Sequence, residues 1–351
     1  VKAAKNFVCV RVTDMRGVDL NAYSFDFDLT FAVLVVQPNG HVLHRYGGRD
    51  HHSADDRLTM SSLVGFLRAA EKSVRNAPLV KREAVAPRTL DDIPVWRDKI
   101  ARRKKKLDCY HCHFVFDAER EQKRADKTWT RDQIWRWPTP TQVGMHFKRE
   151  ALGVLAKVDK KSVAAKSGLR AGDHVLSADR QPILTALDFS AVLENKPRTK
   201  TKVSLRYERR GKERTATLEL AKGWKEGTSL QFSWRPSKWA LHPRPGFGGR
   251  PLNLGERKKL GLPSKGLAFR VGYIVDWGGA DDRRYGKHAR QQGIRKGDLV
   301  VGVKGAPDLR NPEHFHSWWR LETTPGQNIT LRILRKGKAL DVVLTVLPGK
   351  K

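Results

Sequence analysis

Cysteine is scarce: the chain has three, at Cys9, Cys109 and Cys112. Three thiols, two of them close together, exclude a disulfide framework. Long apolar runs are missing too. The run Phe31–Val36 has the length of a strand, far short of the roughly 18 residues of a membrane span. Carboxylates are few, 37 against 69 lysines and arginines, for a net charge of +32. Such an excess favours anionic partners (nucleic acid, acidic proteins, anionic polymers or lipid headgroups) without choosing among them. No Gly-x-Ser-Gly-Gly-like nucleophile stretch occurs, and residues 1–142 lack the pattern of a double β-barrel, so a serine protease is excluded. The chain opens at Val1 with no signal-peptide pattern. The expectation is a mature, proteolysed or engineered N-terminus from which any export signal has gone.

What is there suffices for packed cores. Hydrophobic residues make up 39%, and 351 residues allow about two to four domains. Residues 7–12 and 31–36 read as strands, Pro38-Asn39-Gly40 as a turn, and 41–46 as the second strand of a hairpin. Leu63, Phe66, Leu67 and Val74 are spaced as one face of a helix over 59–75, with Thr59 or Ser61 as its cap. Cys9, inside the first strand, is expected to be a buried small hydrophobe. Helices are expected at about 94–107 and 112–126.

Cys109-Tyr110-His111-Cys112-His113 has the spacing of a c-type haem attachment site. Two thiols add to the haem vinyl groups, and the following histidine ligates iron. A zinc site would need four ligands around a tetrahedron, and these residues are too crowded to supply them. The site residues are therefore Cys109, Cys112 and His113, with one covalent haem c. Its propionates would cancel only about two of the positive charges. The distal ligand is open among Met60, His51, His52, His44 and His146, with Met145 and His111 less suitably placed. No catalytic residue is assigned.

The C-terminal 200 residues contain a repeat. Ala164-Ala165-Lys166-Ser167-Gly168-Leu169-Arg170-Ala171-Gly172-Asp173 aligns with Ala289-Arg290-Gln291-Gln292-Gly293-Ile294-Arg295-Lys296-Gly297-Asp298, and Arg209…Gly211-Lys212 with Arg335…Gly337-Lys338. A helix closed by a left-handed glycine, a turn and an apolar strand account for the unit. It resembles PDZ domains of the bacterial HtrA-like type, over 143–222 and 255–347. That resemblance implies grooves that take a C-terminal peptide as an added strand. The carboxylate loops would be Val143-Gly144-Met145 and Leu260-Gly261-Leu262, and the flanking helices near Asp188–Leu193 and Glu313–Leu321. The alternative is that the chain itself blocks one or both grooves. The Gly- and charge-rich insertion Trp277–Lys287 would reshape the second.

The hairpin and helix before residue 80 resemble the second half of a thioredoxin fold without its dithiol motif. The whole chain resembles exported bacterial proteins, common in planctomycetes, that join a thioredoxin-like domain to PDZ domains. The implied fold is multidomain α+β: a partial thioredoxin-like α/β domain (1–80), a helical haem segment (81–142), two β-rich PDZ-like domains (143–223 and 255–348) and a Trp-rich linker (224–254). The implied function is electron transfer or redox sensing by a monohaem c-type protein docked through its PDZ domains, more a carrier or binder than an enzyme. A non-redox PDZ adaptor with structural haem and a haem peroxidase are the alternatives. Partners would be proteins, acidic redox proteins among them. Nucleic acid is disfavoured, because neither Arg102–Lys106 nor the Trp-rich stretch comes with a recognised motif. Haem attachment places the mature chain outside the cytoplasm, in a periplasm or its equivalent.

Overall fold

The computed structural model describes residues 2–55, 58–79, 85–101, 110–306 and 308–349. The chain divides into two compact units, Val1–Gly227 and Thr228–Lys351.

The first unit opens with a hairpin. Strand β1 (Ala32–Val36) pairs antiparallel with β2 (Val42–Gly47), Val33 opposite Tyr46. Helix α1 (Met60–Asn76) lies against it, started by a capping box between Thr59 and Ser62. Phe66 and Ala70 are buried against Val35 and Tyr46, with Leu63, Leu67 and Val74 beside them, the face expected from spacing. The strand expected at 7–12 is absent. That stretch has no strand assignment, Val8 is 95% exposed, and Cys9 is exposed rather than buried. Alternating apolar residues define a face but cannot supply a partner strand. Among the described residues the hairpin therefore stays two-stranded.

Helix α2 (Pro94–Ala101) and helix α3 (His113–Ala125) follow. Trp96, Tyr110 and Phe114 pack as an aromatic triangle with centroids 5.5 to 5.9 Å apart. The basic run Arg102–Lys106 and Cys109 lie outside the described residues.

The first β-rich module comprises β3 (Met145–Phe147), β4 (Leu155–Val158), α4 (Val163–Lys166), β5 (His174–Ala178), β6 (Gln181–Pro182), α5 (Ala186–Glu194), β7 (Thr201–Arg209) and β8 (Lys212–Leu220). Strands β3 and β4 pair, and the others form a sheet in the order β6-β5-β7-β8. The core holds Met145, Leu155, Phe189, Leu193 and Leu205.

The second unit repeats this order with additions and, among the described residues, without a counterpart of β6. Helix α6 (Ser229–Phe232) precedes β9 (Phe247–Pro251), α7 (Leu254–Lys259), β10 (Phe269–Ile274), α8 (Ala280–Gln291), β11 (Leu299–Val303), α9 (Pro312–Glu322), β12 (Asn328–Arg335) and β13 (Lys338–Thr345). The strands form one sheet, β13-β12-β11-β10-β9, around Phe269, Phe315 and Trp319. One expectation changes here. Residues 228–251 belong to this unit rather than to a linker, and Trp234 and Phe247 are buried in it. Most of the insertion Trp277–Lys287 is helical, because Gly279 caps α8 and Asp281 and Asp282 favour its first turn.

The repeated motif is a clamp. Asp173 is buried and accepts from Arg209 Nε (2.6 Å), Arg209 Nη2 (2.8 Å) and the Arg170 amide (2.8 Å). Asp298 does the same with Arg335 Nε (2.7 Å), Arg335 Nη2 (2.8 Å) and the Arg295 amide (2.8 Å). Each arginine also donates to the carbonyl of the glycine that ends the preceding helix, Gly168 or Gly293. Both glycines are left-handed, at φ +85° and +99°. The clamp ties helix end, turn and hairpin together, which explains why glycine, Asp and Arg recur as a set.

Candidate functional site

In each module a glycine loop leads into a short edge strand beside a helix. In the first, Gly144 (φ +84°) precedes β3 and its carbonyl accepts from the Asp159 amide at 2.9 Å. In the second, Gly246 (φ +81°) precedes β9 and accepts from the Val275 amide at 2.8 Å. Met145 pairs with Val158 as Phe247 pairs with Ile274. The counterpart of Val143-Gly144-Met145 is therefore Pro245-Gly246-Phe247. The expected loop Leu260-Gly261-Leu262 lies instead at the end of α7, where Leu260 is 38% exposed and Leu262 packs on Leu252 and Leu299. The repeat offset misleads because α7 is inserted between β9 and β10. It is 102 residues at the loop (246 − 144), 116 at the second strand (274 − 158) and 125 after the helix (293 − 168). The usable signal was Gly246-Phe247-Gly248-Gly249.

The two groove helices differ in surroundings. Helix α5 is buried along Ala186–Leu193. The backbone of β2 is bonded to its start: the Arg45 amide donates to Asp188 Oδ1 at 2.6 Å, and Thr185 Oγ1 donates to the Arg45 carbonyl at 2.5 Å. At its other end Glu194 accepts from Arg136 Nε and the Trp137 amide, both at 2.9 Å. A cavity of about 150 Å³ remains between His146–Arg149 and Leu184–Ala186, walled by Tyr46 and Gly47 of β2.

In the second unit a cavity of about 290 Å³ lies where the Arg244–Phe247 loop meets α9. Tyr273, Trp239, His316 and Arg320 line it. Trp239 is 45% exposed, and the Arg320 guanidinium stands 5.0 Å from its ring centroid. Arg320 is buried and donates to the His316 carbonyl at 2.9 Å. Burial, then the charge of Arg244, hold Arg320 down to about 9, still cationic at neutral pH. Burial, then Arg320 and Lys238, push His316 well below its ordinary value, so it is neutral. Gly248 is needed on β9, because a side chain there would meet the Tyr273 hydroxyl and His316 Nε2.

The other sequence-selected residues scatter. Cys112 caps α3, and its thiol is pushed up by burial. His113 is the first residue of α3, half-buried, with its ring parallel to that of His111 at 5.9 Å. Burial foremost lowers His113. Of the distal candidates, His44 is buried with its nitrogens at Asp188 (3.2 Å) and Ser73 (2.7 Å), so neither is free for a metal. His146 Nε2 is 2.8 Å from Asp159, and Met60 is 71% exposed on the first turn of α1. His51 and His52 lie together with Asp50, one ligand atom from each within 4.8 Å of the others. No helix among the described residues is long and apolar enough to cross a membrane.

The family model of the PDZ domain matches residues 141–220. That stretch is a PDZ domain, a module of protein interaction. No curated protein matches the chain. Among solved structures, an HtrA-type protease, AlgW with decapeptide, is similar at 17% identity over 39% of this chain and 38% of its own, with a TM-score of 0.23. A variant of the same protease with decapeptide gives 15%, 42%, 41% and 0.24. The match thus spans about two fifths of those chains.

Proposed function

We propose that this protein is a peptide-capturing adaptor, in which the second module binds a partner's C-terminal segment and the first serves as scaffold. One observation carries the reading. Strand β9 ends its sheet, with no strand on its outer edge among the described residues, and the Gly246 loop and its cavity stand at its start. A peptide can extend that sheet by backbone pairing, its carboxylate at the loop. In the first module β2 walls the equivalent crease and its backbone is bonded to α5. The test is hydrogen exchange on the full chain with peptides of free or amidated C-terminus. Free peptides should protect Gly248–Pro251 and leave His146–Phe147 unchanged. Protection at β3 instead, or equal binding of amidated peptides, would remove the reading.

A second reading keeps the haem. Cys112 and His113 stand together at the start of α3, beside the aromatic packing of Tyr110 and Phe114, and Cys109 precedes them in sequence. Cys109 and Cys112 would hold such a group covalently and His113 would ligate its iron, and the group would supply one-electron redox chemistry there. Such a protein would be exported, and its redox state would accompany peptide capture. Expression with a haem-c maturation system should add the mass of one haem, lost in Cys112→Ala. An unmodified mass sinks this reading and leaves the first standing.

A further inference from the structure

The arm Val8–Thr13 is exposed at every residue and runs without a turn or bend. Val8, Val10 and Val12 are 95%, 81% and 60% exposed. Among the described residues, none of the arm's backbone amides or carbonyls is hydrogen-bonded to the chain. Its two ends are held all the same. Phe7 packs on the cluster of Val35, Tyr46, Phe66 and Ala70, and its amide donates to the Ala4 carbonyl at 3.1 Å. Met15 is buried, and its amide donates to the Tyr110 carbonyl at 3.0 Å. The arm is fixed at both ends and bonded to nothing between them.

Its composition is that of a strand, with three valines and Thr13 β-branched. In an extended chain alternate residues take opposite sides, so the three valines share one side and Arg11 takes the other. Six such residues span about 20 Å. A stretch of this kind with its amides open is a template for a neighbouring strand, and folded proteins ordinarily cover or blunt it.

Charge indicates what covers it. Lys2, Lys5 and Arg11 are exposed and make no ion pair among the described residues. The carboxylates at the two anchors are already engaged: Glu71 accepts from Asn6 at 2.6 Å and Arg75 at 2.5 Å, and Asp14 from Arg16 Nε at 2.8 Å. Arg11 in the middle of the arm, and a net charge of +32 on each copy, oppose pairing between two copies of this chain. The same charges attract a strand flanked by carboxylates.

We propose that Val8–Thr13 is a docking strand, added to the open sheet edge of an acidic partner protein. Backbone pairing makes the attachment, the valines bury against the partner's sheet, and Arg11 with the two lysines selects carboxylates beside the edge. The site lies in the first unit and does not depend on peptide capture by the second.

The probe is a cyclised β-hairpin peptide of alternating valine and glutamate with one open edge. Its controls are the valine–lysine hairpin and the glutamate hairpin N-methylated along that edge, which cannot pair. Hydrogen exchange on the full chain locates binding, and the rate of maleimide labelling at Cys9 measures it. The glutamate hairpin should slow exchange across Val8–Thr13, and should bind about tenfold more tightly than the lysine hairpin. Arg11→Glu should reverse that preference and Val10→Pro should abolish binding. Both positions are exposed, so exchange across α1 should stay unchanged in either variant. The proposal is overturned if the lysine or N-methylated hairpin protects the arm equally, if no hairpin protects it, or if protection falls only on Gly248–Pro251. Arm amides already slow in the chain alone would overturn it too: a dimer in sedimentation would then assign the arm to a second copy, and a monomer to the chain's own cover.

Discussion

The paired clamps allow one perturbation to be made twice in one chain. Asp173→Ala removes the acceptor of two Arg209 nitrogens and of the Arg170 amide. Asp298→Ala does the same to Arg335 and Arg295. Both carboxylates are almost fully buried, while both arginine side chains remain 23% exposed. Breaking a buried ion pair costs about 3–5 kcal/mol. The partial exposure of the arginine, and its remaining bond to Gly168 or Gly293, put the cost at the low end, about 3 kcal/mol. With a urea m-value of about 2–3 kcal/mol/M, each variant should lose about 1–1.5 M in midpoint. Urea unfolding read by hydrogen-exchange mass spectrometry follows peptides of each unit separately. Asp173→Ala should lower only the Val1–Gly227 transition, and Asp298→Ala only the Thr228–Lys351 transition. Asp→Asn, which keeps shape and loses charge, should cost about half as much. A loss below about 1 kcal/mol at both sites, or a cost at one and none at the other, would refute the clamp as the reason for the repeat.

Asp188→Ala should free the hairpin, because the Arg45, Leu184 and Thr185 amides lose their acceptor. Faster exchange across Val42–Gly47 with β7 unchanged is the expected pattern, and uniform destabilisation of the whole unit would contradict it. Exposed Cys9 should react with a maleimide well before half-buried Cys112 in the haem-free chain, and peptide mapping of a timed reaction reads the order. His316 is depressed in the folded state, so its unfolded form takes up a proton first as pH falls. The second unit should hold its stability above the ordinary value of 6.5 and lose it as pH drops from there toward the lowered native value. His316→Gln should flatten that slope, and an unchanged pH profile would show that the imidazole is not kept neutral.

The parts that were legible in sequence are mostly local. The hairpin at Pro38–Gly40, the cap at Thr59 and the left-handed glycines 168 and 293 all depend on residues within a few positions of one another. The repeat was legible because glycine, Asp and Arg each have a separate steric or electrostatic duty in the clamp. The second loop is not legible where that locality breaks. With α7 inserted, the same pairing geometry is reached at a different offset, and Gly246–Gly249 reads as linker when counted along the chain. The strand expected at 7–12 fails for a related reason, since its alternation is real but a strand exists only when a neighbour takes its amides.

Composition and short-range pattern by themselves determined the strong positive charge, the lack of a span-length apolar run, the cysteine motif and the two β-rich modules. These are properties of residue type and of contacts closed within a turn or a hairpin. Which crease is walled and which is open was decided only by tertiary structure. Arg45 reaches Asp188 across 143 residues, and Arg320 comes to share a cavity with Arg244 from 76 residues away (320 − 244). Such pairings are set by how buried faces pack, and packing is a property of the assembled core that no window of the chain contains.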